Sequence, residues 1–413
     1  EWTSPAGTDW IVLRVGYASN GAVVHPASSF GGGLEVDKLD AAAVARHFDA
    51  YCGKICRKLG PLAGKVESGF NNILVDSFEV GSQNWTQNFD KTFERRMGYS
   101  LRPYLPVFAG RIVGSVDESE RFLEDFRRVV ADLFAENYAG RMAELCHRHG
   151  LQLSIEPYGN CPSDNLQYGQ DVDIPMGEFW SSAVVGDHGM GAGNGRFAAY
   201  LAHVWGRRFA ATESFTASPN AGGRWCTTPF SIKAQGDHAF CEGVNRIIYH
   251  RFTHQPWADD RYLPGMTMGR WGMHLDRTQT WWDYSSEWFR YQARCQWMLQ
   301  EGRFVADALF FCGEQAPNQG GNTDGAGANL PAVETTGAVT IPATGKLEFS
   351  EPPTKSVTLV LAQGGSLVLP SDLSGWTYDK PANEKYEIAF EARDNGTKFV
   401  AKVSCQGLMI IVR

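Results

Sequence analysis

Apolar runs in this chain repeatedly end at a carboxylate. Ile73-Leu74-Val75 leads into Asp76-Ser77-Phe78-Glu79 and then the polar, aromatic stretch Val80–Thr86. Leu151–Ile155 leads into Glu156-Pro157-Tyr158-Gly159-Asn160, and Arg208–Ala211 into Thr212-Glu213-Ser214-Phe215-Thr216. Asp171–Trp180 is another strand-to-loop passage, placing Glu178 beside two aromatics, and Val244–Tyr249 is a strand ending at His250. Between these short runs the apolar positions take helical spacing. A helix is predicted from about Asp40 to Leu59, with Asp40 as N-cap and Gly60-Pro61 as stop. A second spans Asp117–Gly150, with Phe122, Phe126, Val129, Val130, Leu133 and Phe134 on one face, and others follow at Gly195–Trp205, Ser231–Glu242 and Thr280–Gly302. Strand–helix alternation predicts a parallel sheet. Acids at strand ends predict an α/β fold of (β/α)8 TIM type, complete or lacking strands, with its chemistry at the C-terminal ends of the strands.

The two ends of the chain read differently. Trp2–Tyr17 is a turn followed by an alternating strand, a residual β segment within residues 1–30. The barrel region extends through residues 1–314 and closes with a strand at Phe304–Phe311. Residues 315–329 form a Gly/Asn-rich linker. Residues 330–413 show short alternations (Ala338–Ile341, Ser356–Leu361, Ser366–Leu369, Lys398–Val403, Leu408–Val412) broken by Gly and Pro, which predict a small β-sandwich-like domain.

Composition narrows the function. A net charge of −8 with no basic block argues against nucleic acid and anionic membranes. No apolar run is long enough to span a bilayer, and no signal peptide is visible. Nine scattered cysteines without a CxxC pair read as free thiols rather than a zinc site. The 13 tryptophans suit both a core and a cleft for sugar rings, whose C–H faces are apolar. The Gly-rich stretch Gly186–Gly195 lacks the strand-before, helix-after setting of a nucleotide loop, and no GxSxG nucleophile turn occurs.

Paired carboxylates at strand ends fit glycosidic bond cleavage, which needs one carboxyl as acid and another as base or nucleophile. The acid is assigned to Glu79, with Phe78 and Trp85 expected to desolvate it, and the base to Glu213, whose hydroxyl neighbours are expected to keep it ionised. Asp76 is expected to orient neighbouring groups. The long loop Arg251–Gln279 is rich in Gly, Pro, His and Trp. It follows His250 and carries His254, His274, Asp276 and Arg277, candidates for binding sugar hydroxyls, and Trp85, Trp180, Trp271 and Trp281 are candidate cleft aromatics.

Eight blocks together resemble glycoside hydrolase family 106. They are Trp10–Tyr17 with Gly32–Lys38 (GGLEVDK), Val75–Thr86, Glu94–Tyr99, Ala211–Thr216, His250–Pro256, Pro264–Gly269, Asp276–Trp282 and Tyr291–Asp307, within Trp2 to Glu314. The resemblance implies a (β/α)8 α-L-rhamnosidase with an inverting mechanism, two catalytic glutamates (mapped onto Glu79 and Glu213) and calcium dependence. It implies an oligosaccharide or polysaccharide substrate containing rhamnose, and hence a periplasmic or extracellular location. Family members carry a long region before the point where this chain begins. Calcium favours oxygen ligands, and Glu178 and Glu156 are the metal candidates, with hydroxyl binding as their alternative. The competing readings are a retaining β-glycosidase of related barrel fold and an inactive fragment that keeps the sugar cleft. Eight closed strands would favour the enzyme, and a gap in the barrel the remnant.

Overall fold

The computed structural model describes residues 11–24, 27–28, 30–159, 163–181, 191–193, 195–217, 223–266, 271–305 and 316–317, and short strands between 333 and 405. By backbone contacts the chain divides into two units, residues 1–302 with 313–322, and residues 303–312 with 323–413.

In the first unit five strands run parallel in the order β1 (Asn72–Val75), β2 (Gln152–Ile155), β3 (Ile174–Ser181), β5 (Ala211–Ala217), β6 (Arg246–Tyr249), and β4 (Gly191–Gly193) pairs antiparallel with β3. This is a half-barrel. The expected eight strands are not present among the described residues, and neither β1 nor β6 has an outer neighbour there. Most of the predicted strand Phe304–Phe311 lies outside the described residues.

The strands β1, β2 and β6 form at the expected short apolar segments, whereas β5 runs on from the expected Arg208–Ala211 segment to Ala217. Asp40 caps its helix by accepting from the Ala42 N–H, but Tyr51 leaves helical geometry and divides the predicted helix into Ala41–Ala50 and Cys52–Leu59. After the helix Phe89–Met97, which was not expected, the second predicted helix begins at Val116 because the Ser115 side chain accepts from the Glu118 N–H. It continues as a π-helical turn, Ala135–Gly140, and then Arg141–Arg148. Thr228 and Ser231 form a reciprocal capping box, with Pro229 at the first helical position. The alternation at Trp10–Tyr17 does not make a strand: residues 11–17 have no assigned secondary structure, and Ile11, Val12, Val15 and Tyr17 are exposed. Alternation specifies a strand only where a partner edge exists to receive it.

Register fixes the two faces of the sheet. Leu74, Ser154 and Ile174 align, as do Met176, Ala211 and Arg246, and Glu178, Glu213 and Ile248. Aligned residues in parallel strands share a face, so these line the barrel interior. The outer face packs on helices in two cores. Leu153, Ile155 and Phe78 join the helices around Phe48, Phe126 and Phe134, whereas Phe179, Phe215 and Ile247 pack with Ile232 and Trp288. Leu74, on the interior face of the edge strand, is 45% exposed.

In the second unit Tyr386–Arg393, Lys398–Cys405, Val357–Gln363 and Val333–Glu334 form a four-stranded sheet in that order. Two further parallel pairs join Leu367–Val368 with Val339–Thr340 and Gly375–Tyr378 with Thr344–Leu347. The predicted strand Leu408–Val412 and nearly all of the predicted linker lie outside the described residues. Among the described cysteines, Cys52, Cys56, Cys146, Cys226, Cys241 and Cys295 are free thiols.

Candidate active site

Four carboxylates come together at the interior face. Glu156 follows β2, and its N–H donates to the Val75 carbonyl, which extends the β1–β2 ladder to the level of Asp76. One carboxylate oxygen each from Asp76, Glu156 and Glu213 lies within 4.8 Å of the others. Glu178 joins through Tyr158, whose hydroxyl lies 2.7 Å from Glu156 Oε2 and 3.2 Å from Glu178 Oε2. A phenol has one proton to donate, so two ionised carboxylates cannot both be satisfied by it. The other oxygen of Glu156, which is 1% exposed, has no hydrogen-bond partner.

Backbone geometry delivers these groups. Phe78 N–H donates to the Tyr158 carbonyl at 3.0 Å and Phe78 bridges Gly159, so the loops after β1 and β2 run side by side. Gly159 has φ +118°, and a Cβ there would meet the Phe78 carbonyl oxygen at 2.2 Å, so only glycine allows the approach. In β5, Phe179 pairs with Ser214 but Trp180 pairs with Thr216, which leaves Phe215 as a bulge with φ 59°. The bulge reverses the side-chain alternation, keeping Phe215 in the outer core and turning Thr216 inward, where its hydroxyl donates to Glu213 Oε1. A buried phenylalanine in this region costs roughly 1–3 kcal/mol, and such strain concentrates at functional sites.

Burial raises the proton affinity of three of the four acids. Glu156 is pushed well above the usual carboxylate range by burial, then by the charges of Asp76 and Glu213, with the Tyr158 hydrogen bond opposing. Glu178 is raised by burial against hydrogen bonds from Tyr158 and the Trp180 indole. Glu213 is pushed up to about 7 by burial, opposed by Thr216 and reinforced by Glu178, Asp76 and Glu79. Burial therefore outweighs the Thr216 hydroxyl in setting the proton affinity of Glu213, where the sequence reading expected its hydroxyl neighbours to keep it ionised. The reason expected for Glu79 also fails. Phe78 is buried edge-on to Phe134, and Trp85 packs on Tyr17, Phe89 and Phe126, while Glu79 is exposed and accepts from the Ser77 hydroxyl.

The remaining candidates divide. His250 N–H donates to Ser214 O, and its Nδ1 lies 3.7 Å from Glu213 Oε1. Burial, then Arg251, lowers its pKa, so we read the contact as a neutral imidazole beside a carboxyl rather than an ion pair. Trp180 stands edge-on to Trp271 with ring centres 5.5 Å apart. Farther along the loop, His254 is exposed against Trp257, His274 is buried against Trp225, and Asp276 accepts from the Thr278 N–H and hydroxyl. Arg277 donates to the carbonyls of Gln255 and Trp257, and the Trp281 indole to Thr227. The Arg277, Asp276 and His254 contacts knit the loop itself, while His274 meets the segment around Trp225. Of the two expected metal candidates, Glu156 offers one of three neighbouring oxygens with Asp76 and Glu213, while Glu178 accepts from the Tyr158 hydroxyl and the Trp180 indole. Tyr158 and the Phe215 bulge were missed as site-building features, and the only local signal for the first was a tyrosine two residues beyond a strand-end glutamate.

The raised acids carry a stability consequence. Between the usual 4.5 of a glutamate and the about 7 of Glu213, the folded state holds more protons than the unfolded. Their contribution is full below 4.5 and is lost as pH rises through about 7. In EDTA, the stability difference between the wild type and Glu213→Gln should therefore change by up to about 3 kcal/mol between pH 5 and pH 8, the wild type losing more. Urea melts at the two pH values measure it; parallel losses would mean that Glu213 is not raised.

The model of glycoside hydrolase family 106, described as alpha-L-rhamnosidase, matches residues 1–334. A protein of Formosa agariphila named "Putative beta-glucuronidase" is 43% identical over 318 residues, covering 77% of this chain and 26% of its own length. The structure of a rhamnosidase from Novosphingobium sp. PP1Y superposes with a TM-score of 0.64 at 36% identity, covering 71% of this chain and 28% of that one. The chain thus spans about a quarter of the length of these relatives.

Proposed function

Since the chain belongs to glycoside hydrolase family 106, the alpha-L-rhamnosidase family, we propose that its carboxylate cleft hydrolyses terminal α-L-rhamnosides in pectic or other rhamnose-containing glycans with inversion. The observation that carries this is the convergence of Asp76, Glu156, Glu178 and Glu213 on one face of the half-barrel, with Glu79 close enough for its charge to be felt at Glu178 and Glu213. Glu79, solvent-exposed, gives its proton to the glycosidic oxygen as the C1–O bond breaks. Glu213 takes a proton from the water whose oxygen bonds C1 from the opposite ring face.

The donor set fits calcium. Three carboxylate oxygens within 4.8 Å match two Ca–O bonds of about 2.4 Å back to back, and the unpartnered oxygen of Glu156 is available as a ligand. Asp76, Glu156 and Glu213 would hold the ion, which when bound supplies positive charge for anchoring sugar hydroxyls. A polymeric substrate would be met in the periplasm or outside the cell, which is the location this reading proposes.

The name of the Formosa relative raises β-glucuronides as a second substrate class. The family model and the Novosphingobium rhamnosidase support rhamnosides as the first reading. With calcium present, p-nitrophenyl α-L-rhamnoside should turn over at least about tenfold faster than p-nitrophenyl β-D-glucuronide, a difference of only about 1.4 kcal/mol in transition-state binding. The reverse order would transfer the reading to glucuronides. Rhamnose binding without turnover would mean that the half-barrel keeps only the cleft.

A further inference from the structure

The motif Gly32–Lys38 has no place in the chemistry just described, yet it holds a buried charge directly beneath the catalytic loop. Lys38 is 4% exposed, its Nζ lies 2.7 Å from Glu35 Oε2, and it sits between two aromatic rings, 5.1 Å from the centre of Phe78 and 5.4 Å from that of Tyr138. A buried ammonium is costly unless paired, and aromatic faces attract it more strongly once water is excluded. Phe78 stands between Asp76 and Glu79 in the sequence. Tyr138 belongs to the π-helical turn Ala135–Gly140, a feature that recurs at functional sites.

The same segment is tied to the far side of the loop. Lys38 N–H donates to Gln83 Oε1, Gln83 Nε2 donates to the Val36 carbonyl, and the Thr86 hydroxyl donates to Asp37 Oδ2. Asn137, from the π turn, donates to the Leu39 carbonyl. Contacts at Phe78, Gln83 and Thr86 thus bracket Glu79 on both sides.

We propose that Lys38 is a positioning residue for the proposed reaction: with Glu35, Gln83 and the π turn it forms a strap that fixes the backbone of the Asp76–Thr86 loop, and through it the direction of the Glu79 carboxyl. The proposal rests on the assignment of Glu79 as acid. Positional errors near 1 Å cost on the order of 10²-fold in rate. A strap acts on the chemical step and leaves the sugar-binding surface of the other strands in place.

The test uses the full chain with calcium and compares Lys38→Met, Lys38→Arg and Gln83→Leu with the wild type. In Lys38→Met, kcat on p-nitrophenyl α-L-rhamnoside should fall roughly 10- to 100-fold with KM changed less than about threefold, and Lys38→Arg should recover part of the loss. Amide exchange at Ser77–Thr86, read at Phe78 N–H, should accelerate in Lys38→Met and Gln83→Leu while exchange across β5 stays as in the wild type. Unchanged exchange in this loop, or equal acceleration in the loop and in β5, would overturn the strap. Exchange is read without substrate, so a wild type that cleaves no rhamnoside defeats the functional reading and leaves this readout decisive for the strap. If Lys38→Met does not fold, the exposure of Gln83→Leu to the same two readouts decides.

Discussion

Replacing Glu213 or Glu79 by Gln should lower turnover of an aryl α-L-rhamnoside by roughly 10²–10⁴-fold, the range expected for losing one general acid or base. The two variants should differ in how they respond to the leaving group. Without its acid, the enzyme depends strongly on a leaving group that departs without protonation, so Glu79→Gln should retain much more activity on a dinitrophenyl than on a phenyl rhamnoside. Glu213→Gln, lacking the base, should lose activity on both to a similar degree. Glu213 lies in the group of oxygens proposed to hold calcium, so its variant should also bind the ion more weakly, whereas Glu79→Gln should bind it as the wild type does. Steady-state kinetics on the two substrates and a calcium titration separate these outcomes. Opposite leaving-group behaviour would exchange the roles of the two residues.

Gly159→Ala should be the most destabilising single-methyl change in the site, at about 3–4 kcal/mol. The added Cβ would lie 2.2 Å from the Phe78 carbonyl oxygen at a φ of +118°, so both the backbone conformation and the contact must give way. Relief requires the loops after β1 and β2 to separate, which breaks the Phe78–Tyr158 hydrogen bond and moves Asp76 away from Glu156. Activity and calcium affinity should fall together with stability. Urea unfolding measures the first effect, and a change under about 0.5 kcal/mol, typical of ordinary surface sites, would show that the two loops do not run together in solution.

Much of the site was legible because its signals are local. An apolar run that stops at an acid marks a strand end, and the same criterion selected Asp76, Glu79 and Glu156. Helix starts were legible where one side chain closes a cap, as at Asp40. Glu213 shows where local reading falls short. The polar Thr212-Glu213-Ser214 looked like the end of a strand after Ala211, yet β5 continues to Ala217. Thr212 and Ser214 hydrogen-bond to each other on the outer face, so polarity there does not demand solvent. The bulge at Phe215 has no glycine to announce it, because its conformation is imposed by the neighbouring strand and the outer core. Charge states were the least legible feature. Glu213 is raised by burial and by acids on β3 and after β1, none of which its own neighbours in sequence specify. Barrel closure was likewise beyond local patterns, since it depends on edges that another segment must fill.

The central claim is that these carboxylates cleave α-L-rhamnosides by a single displacement. The most direct measurement is proton NMR of the sugar released from p-nitrophenyl α-L-rhamnoside, followed from the first turnover with calcium present. Inversion at C1 yields β-L-rhamnose first, with the α anomer growing in only by mutarotation. Initial release of α-L-rhamnose would contradict the inverting pair, and a folded, calcium-loaded chain that releases no sugar would contradict the assignment of hydrolysis to this half-barrel.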